Sequence, residues 1–438
     1  FLQCAYFIQE NCNLEILNSE LSKNMDFIIS KGKLFDTVDE LYLDPLLIIS
    51  APLYPLSYRN QNNKDIFIKR NQTYLSLCPD LKYDGVGDRK ISDSVLNIAF
   101  LSDFLTKDSS VLRDRMGIIE NLNSEKFNIK IITSVDPKNI SGNLSKQFYE
   151  RNKDKFIILP KKIKDSREMI SKLNLDILIY CEIGMAVKSY LLSFSRLAPI
   201  QINTWGHSDT SGNSEIDYFV SSKIFEIENA QNHYSEKLIT LDSLGTYYFS
   251  PKEQFLNEES TIYNREHFKL PSDKMLIGCI QSKFKISSEF ENILKNILEN
   301  NPDCLIYLST FVEFNRKHLE RIKIKLGDNF SRLQFIRGME TKEYLNLLKN
   351  FDIILDPYPF GGCNTSLEAF DFDIPVVTLP SNYLNGRFTQ GFYKLMEIES
   401  LCAKSKDDYV AIVDKLINDK EYLDNIKNDI NDKKKNIV

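Results

Sequence analysis

Phe351-Asp-Ile-Ile-Leu-Asp-Pro-Tyr-Pro-Phe-Gly-Gly-Cys-Asn-Thr-Ser-Leu-Glu-Ala-Phe370, continued by Asp371-Phe-Asp-Ile-Pro-Val-Val-Thr-Leu379, decides the fold class. Phe351 to Leu355 is a short β-branched apolar run and reads as a buried strand. Asp356 to Gly362 cannot continue it, because two prolines remove ladder donors and two glycines invite unusual backbone angles. Thr365 followed by Glu368 has capping-box spacing, which predicts a helix through Leu367 and Phe370. Ile374 to Leu379 is the next strand. Strand, glycine turn and helix N-terminus together make a cradle for a phosphate, with outward amides, a favourable dipole and close backbone approach. An ordinary, well-capped βαβ turn has the same outline.

Working outward, the alternation of strands and helices recurs on both sides. Upstream in the same half lie strands at Met275–Ile280, Asp303–Leu308 and Leu333–Ile336, with helices at Ser287–Asn300 and near 315–326 and 341–349. An earlier series has strands at Val95–Leu101, Ile129–Thr133, Phe156–Leu159, Ile177–Tyr180, Pro199–Asn203, Tyr218–Val220 and Lys237–Thr240. A helix from about Ser110 to Leu122 follows the first of them. This predicts two doubly wound α/β domains, 93–250 and 274–438, joined by a polar linker at 251–273 and preceded by a helical segment, 1–92. Such sheets bind ligands at the carboxyl ends of their strands, so a cleft between the two domains is the expected site.

Composition narrows the function. A chain of 438 residues, 42% of them hydrophobic, is long enough for more than one core, and a net charge of −6 disfavours a nucleic-acid partner. Eight scattered cysteines without a Cys-x-x-Cys pair fit reduced thiols in a cytoplasmic setting and offer no zinc site. Four histidines without HExxH give no histidine-built metal centre. No apolar run reaches about 18 residues, so no membrane span is expected. The basic Lys433-Lys-Lys435 reads as a solvated end.

Four places carry candidate chemistry. Lys285 follows the first strand of the second domain, where its ammonium would meet the diphosphate held by the cradle; Lys283 competes with it, and either is also readable as a solvated lysine. Glu368 either closes the capping box or accepts ribose hydroxyls. Asn203 to Gly212 directly follows a strand and holds the chain's single tryptophan, Trp205, with Gly206, His207 and Asp209; a turn around a buried Trp205 is the structural alternative. Asp103, in Ser102-Asp-Phe104, sits at the end of the first domain's first strand, as a site residue or as the N-cap of the helix that follows.

These stretches resemble the O-linked N-acetylglucosamine transferase and SPINDLY family. The resemblance rests on Asp356 to Phe370 with Ile374 to Pro380, on Trp205 to Gly212, Ile216-Asp-Tyr218 and His233 to Leu238, on Ser102 to Phe104, and on Phe284-Lys-Ile286. It runs from about Val95 to Leu416, and the segment before it resembles the helical connector that follows tetratricopeptide repeats. The family implies a GT-B architecture, with two Rossmann-like domains facing a cleft. It also implies an inverting glycosyltransferase that needs no metal or other cofactor. The donor would be a UDP-sugar, N-acetylglucosamine being the expected sugar, and the acceptor protein Ser/Thr hydroxyls, with Asn side chains or a glycan as alternatives. Lys285, His207 and Asp103 are then the implied catalytic residues. Gly206, Asp209, Ser282, Gly362, Cys363, Asn364, Thr365 and Glu368 are the implied substrate-binding ones. Three departures stand out: Leu105 to Ser110 lacks the family's histidine, Cys363 or its neighbour replaces a histidine of the donor loop, and Ser282 stands where an amide side chain is usual. Rival readings are a nucleotide-sugar epimerase on the same fold, a catalytically silent sugar-nucleotide or glycan-binding module, and a scaffold whose first 90 residues recruit partners.

Overall fold

The computed structural model describes residues 14–44, 54–91, 94–256, 263–309 and 316–437. These divide into two compact units: one takes residues up to Ser57 and from Gln61 to Tyr247, the other Tyr58–Asn60 and everything from Tyr248 onward.

The first unit begins with helices α1 (Leu14–Lys31), α2 (Val38–Leu43) and α3 (Lys64–Leu77). It continues with β1 (Tyr83–Asp84), β2 (Leu96–Leu101), α4 (Ser110–Asn121), β3 (Phe127–Thr133), α5 (Asn143–Asn152), β4 (Phe156–Ile158), α6 (Ile163–Ser171) and β5 (Ile177–Tyr180). After these come α7 (Val187–Leu192), β6 (Ser195–Arg196), β7 (Ile200–Thr204), β8 (Tyr218–Ser222) and β9 (Lys237–Leu241). Seven strands form one all-parallel sheet in the order β4-β3-β2-β5-β7-β8-β9. The order reverses between β2 and β5, which puts Ser102 and Glu182, just past their ends, at the topological switch point. All seven are close to the strands expected from the apolar runs, because strands covered by helices on both faces have no polar side to show.

The helical segment is built into this unit. Val38 and Leu41 of α2, Tyr74 of α3, Cys78 and Leu81 share a core with Ala99, Leu101, Leu178 and Tyr190. A two-residue parallel ladder pairs Tyr83 with Ser195, and Leu21 and Met25 of α1 pack on Ile66 and Phe67 of α3.

The second unit contains α8 (Pro251–Phe255), β10 (Met275–Cys279), α9 (Ser288–Asn300), β11 (Cys304–Ser309), α10 (Arg316–Leu326), β12 (Leu333–Ile336) and α11 (Thr341–Leu348). It ends with β13 (Ile353–Leu355), α12 (Asn364–Asp371), β14 (Val376–Val377), α13 (Phe388–Met396), α14 (Lys406–Asn418) and α15 (Lys420–Lys433). Its parallel sheet runs β12-β11-β10-β13-β14 and reverses between β10 and β13. The ends of those two strands carry the 280–285 turn and the Asp356–Cys363 loop. Both units are thus Rossmann-like, the pair of domains found in the GT-B class.

Two local expectations are corrected. Of Lys433-Lys-Lys435, read as a solvated end, Lys434 is held to the second unit, its Nζ donating to the Asp371 carbonyl at 2.9 Å and to Asp373 at 2.7 Å, while Lys435 is exposed. The start of the supposed linker is ordered against the second unit: α8 is fixed by Ser250 Oγ and Lys252 N–H, each 2.7 Å from the Asp371 carboxylate. Residues 257–262 of that stretch lie outside the described part.

Candidate active site

The sequence suggested Thr365 as N-cap of α12, with Glu368 closing a capping box. The structure overturns both. Cys363 is the N-cap residue and makes no side-chain cap hydrogen bond, and Thr365 lies inside the first turn. The two side chains are engaged elsewhere. Thr365 Oγ1 accepts from Gln281 Nε2 at 2.5 Å, and Glu368 Oε2 accepts from Tyr344 Oη of α11 at 3.0 Å. A helix whose end is left uncapped by its own side chains keeps its dipole and first-turn amides for an anion.

Around that helix end the second unit collects its charge. Lys285 Nζ donates to Gln281 Oε1 at 2.9 Å and to the Gly361 carbonyl at 2.6 Å, and lies 4.7 Å from the centre of the Phe360 ring. Burial pushes its ammonium down to about 8, against the pull of Asp356. An arriving diphosphate would restore the charge that burial penalises. Lys283 instead lies over the Phe284 ring. Asp356, buried at the end of β13, accepts the Gly362 amide and, at 2.7 Å, Thr378 Oγ1, which fixes the loop in front of the helix. Gly362 is needed for space: a Cβ there would stand 2.5 Å from Thr365 Oγ1 and 2.9 Å from Gln281 Nε2. Tyr58, from the N-terminal segment, stacks on Phe360 with ring centres 4.6 Å apart, and Asn60 donates to Tyr358 Oη at 2.9 Å.

Gln281 and Asp356 escaped the sequence reading. Ser282 is exposed, and the amide side chain in the turn belongs to its neighbour Gln281, which is buried. Its signal was present, since Gln281 immediately follows the strand, but fixed motif spacing pointed one residue on.

In the first unit, Gly206 enters the loop after β7 so closely that a Cβ would lie 2.3 Å from the Cys181 carbonyl. Trp205 is buried, stacked edge-on against Phe225 with the Arg115 guanidinium over its ring, so the structural reading holds for that residue. His207 is 5% exposed, and burial pushes its imidazole down to about 3, keeping it neutral. Asp209 accepts from Ser57 Oγ at 3.0 Å and Asn63 Nδ2 at 2.7 Å; burial raises its carboxyl while those donors oppose the rise. Asp103 is not a helix cap. Ser102 Oγ accepts the Phe104 amide, and Ser109 Oγ accepts the Leu112 amide at the start of α4. The Asp103 carboxylate accepts Thr133 Oγ1, Ser134 N–H and Ser134 Oγ at 2.9, 2.6 and 2.5 Å, tying the end of β2 to the end of β3. Glu182, beyond β5, was also missed; it is fully buried, and its carboxyl is pushed up to about 8.

Among the described residues no three His, Cys, Asp or Glu side chains gather as a metal site, and no helix is long and apolar enough to cross a membrane. None of the six described cysteines is in a disulfide.

Comparison with known proteins places this geometry. Residues 250–437 match the model of Glycosyl transferase family 41. A probable UDP-N-acetylglucosamine–peptide N-acetylglucosaminyltransferase SEC from Arabidopsis thaliana is 26% identical over 186 residues, 42% of this chain and 19% of that protein. A UDP-glucose:protein N-beta-glucosyltransferase from Actinobacillus pleuropneumoniae is 24% identical over 239 residues, 52% of this chain and 36% of that one. The matched stretches therefore span well under half the length of these relatives. The fold is shared with an O-GlcNAc transferase mutant from Thermobaculum terrenum at a TM-score of 0.73 and 19% identity, covering 95% of this chain and 80% of that one. The resemblance to the O-GlcNAc transferase and SPINDLY family is borne out.

Proposed function

We propose that this chain, whose second unit is a family 41 glycosyltransferase domain of the O-GlcNAc transferase type, moves a sugar from a UDP-sugar to protein side chains. N-acetylglucosamine is the proposed sugar and Ser/Thr hydroxyls the proposed acceptors, by likeness to the relatives' names. The observation that carries the reading is the grouping of Lys285, Gln281 and Thr365 at the uncapped N-terminus of α12.

Breaking the anomeric C–O bond leaves the electron pair on the β-phosphate oxygen, where negative charge builds. Lys285 and the first-turn amides of α12 would stabilise that charge, which supports transfer without a divalent ion. Glu368, steadied by Tyr344, would accept the ribose hydroxyls. The acceptor hydroxyl would attack the anomeric carbon from the face opposite the leaving group and so invert its configuration. Its proton then needs a base. His207 is neutral but weakly basic in its buried setting, and Asp103 already accepts three hydrogen bonds. Asp209 also accepts three, from Ser57, Asn63 and the Thr210 amide, and burial raises its carboxyl, which makes it the proposed proton acceptor. Cysteines outside any disulfide throughout the described chain support a reducing, cytoplasmic compartment.

The test is sugar-nucleotide turnover by NMR in EDTA, over a panel of UDP- and GDP-sugars, for wild type and Lys285→Ala. Turnover of one UDP-sugar that is lost in the variant is the expected result. Turnover that survives Lys285→Ala, or that requires a divalent ion, overturns the mechanism, and wild-type binding without turnover overturns the activity.

A further inference from the structure

Asn63 occupies the N-cap position of α3, where an asparagine side chain normally accepts an amide of the first turn. It makes no such bond. Its Nδ2 donates to Asp209 Oδ2 at 2.7 Å, and its Oδ1 accepts from Gln61 Nε2 at 2.7 Å. A side-chain cap stabilises a helix end, so this side chain is drawn away from its local role by Asp209. Ser57 is fully buried and serves the same carboxylate oxygen. Its Oγ donates to that oxygen at 3.0 Å and lies 3.4 Å from His207 Nε2. Two residues near the start of the chain therefore hold one carboxylate about 150 residues downstream.

The rest of the loop is held independently. Glu236 accepts Thr210 Oγ1 at 2.5 Å and the Ser211 amide at 2.8 Å, while Arg70 and Asn71 donate to the Ser211 carbonyl. The loop backbone thus has its own anchors, and the Thr210 amide holds Asp209 Oδ1 at 3.1 Å; what Ser57 and Asn63 add is the direction of the carboxylate and the charge held at Oδ2. We propose that Ser57 and Asn63 are positioning residues that orient Asp209 and His207, which makes the N-terminal helical segment a working part of the site. This deepens the proposed function and rests on it for its kinetic consequence.

The experiment uses the full chain and Ser57→Ala, Asn63→Ala, the double variant and the donor-preserving Ser57→Thr. The kinetic arm expects kcat to fall by about tenfold per lost donor, as for a hydrogen bond to a charged group, with donor KM within threefold of wild type and Ser57→Thr restoring most of the rate.

The second arm needs no activity. Trp205, the chain's single tryptophan, heads this loop, so its fluorescence followed against pH reports on it. The charged and titratable groups around the Asp209 loop are Arg70 of α3, His207 of the loop, and Tyr234 and Glu236 before β9. Asp209→Asn identifies which transition belongs to Asp209. Removing donors to the charged form raises its midpoint, by about one pH unit per donor. Unchanged midpoints, no Asp209-dependent transition in wild type, or losses that follow the fall in Tm and are not rescued by Ser57→Thr would each overturn the proposal. Absence of turnover in wild type would sink the transferase reading and leave the fluorescence arm to decide this one.

Discussion

The Gln281 side-chain amide donates to Thr365 Oγ1 at 2.5 Å while its oxygen accepts from Lys285 Nζ at 2.9 Å. One side chain thereby joins the cation to the helix end that would share a diphosphate with it. Gln281→Ala is expected to weaken UDP binding by about tenfold, the size of a lost hydrogen bond to a charged group, whereas Ser282→Ala leaves it within threefold. Calorimetric titration of the two variants checks this, and equal effects would reject the assignment of the amide to Gln281.

Gly362→Ala tests the closeness of the cradle. Its Cβ would meet Thr365 Oγ1 and Gln281 Nε2, so the loop or Gln281 must shift. Overpacking of this kind costs roughly 1–3 kcal/mol, and the shift falls on the donor side. UDP affinity should drop at least tenfold while circular dichroism shows the second unit still folded.

Lys285 gives binding a definite pH dependence. Burial holds its ammonium down at about 8, and a bound diphosphate would raise it again. The bound form therefore holds the proton more tightly than the free form. On the proposed function, UDP binding should be strongest below pH 8, take up a proton above it, and weaken as pH climbs toward the bound-state value. Titrations at pH 8.5–9 in buffers of different ionisation enthalpy should show that uptake in wild type and not in Lys285→Met.

Tyr344→Phe removes the hydroxyl that steadies Glu368. If Glu368 accepts the ribose hydroxyls, wild type should prefer UDP over 2′-deoxy-UDP, and the variant should lose about fivefold of that preference, the equivalent of about 1 kcal/mol. A discrimination ratio unchanged in both Tyr344→Phe and Glu368→Ala would remove Glu368 from the ribose site.

Glu182 gives a stability prediction. Burial lifts its carboxyl to about 8 from an ordinary value near 4.5, so between those values the folded state holds a proton that the unfolded state has released. The contribution is fully present below about pH 4.5 and is lost as pH rises through 8. Glu182→Gln should raise Tm by a few degrees at pH 8 and change it little at pH 4.5, read by calorimetry across that range.

The sequence showed the strands of both sheets, because apolar β-branched runs bounded by glycine and proline can be read without knowing their neighbours. It also led to Lys285, Gly362 and the 205–212 loop, all of which lie in the turns that follow strands. It misjudged residues whose partners are distant in the chain. Thr365 and Glu368 have capping spacing, yet Gln281 and Tyr344 claim their side chains. Asn63 has the identity and place of a cap and serves Asp209, 146 residues away.

By itself, then, the sequence determined two parallel α/β units, the order of their elements and the turns where ligand chemistry belongs, since these follow from periodicity and local backbone chemistry. Only the tertiary structure decided which side chains act together. It joined Gln281 to Lys285 and Thr365, withdrew the cap from α12, and made Ser57 and Asn63 partners of Asp209. A hydrogen bond depends on distances of about 3 Å between atoms, and chain spacing does not encode those distances once partners lie on different elements.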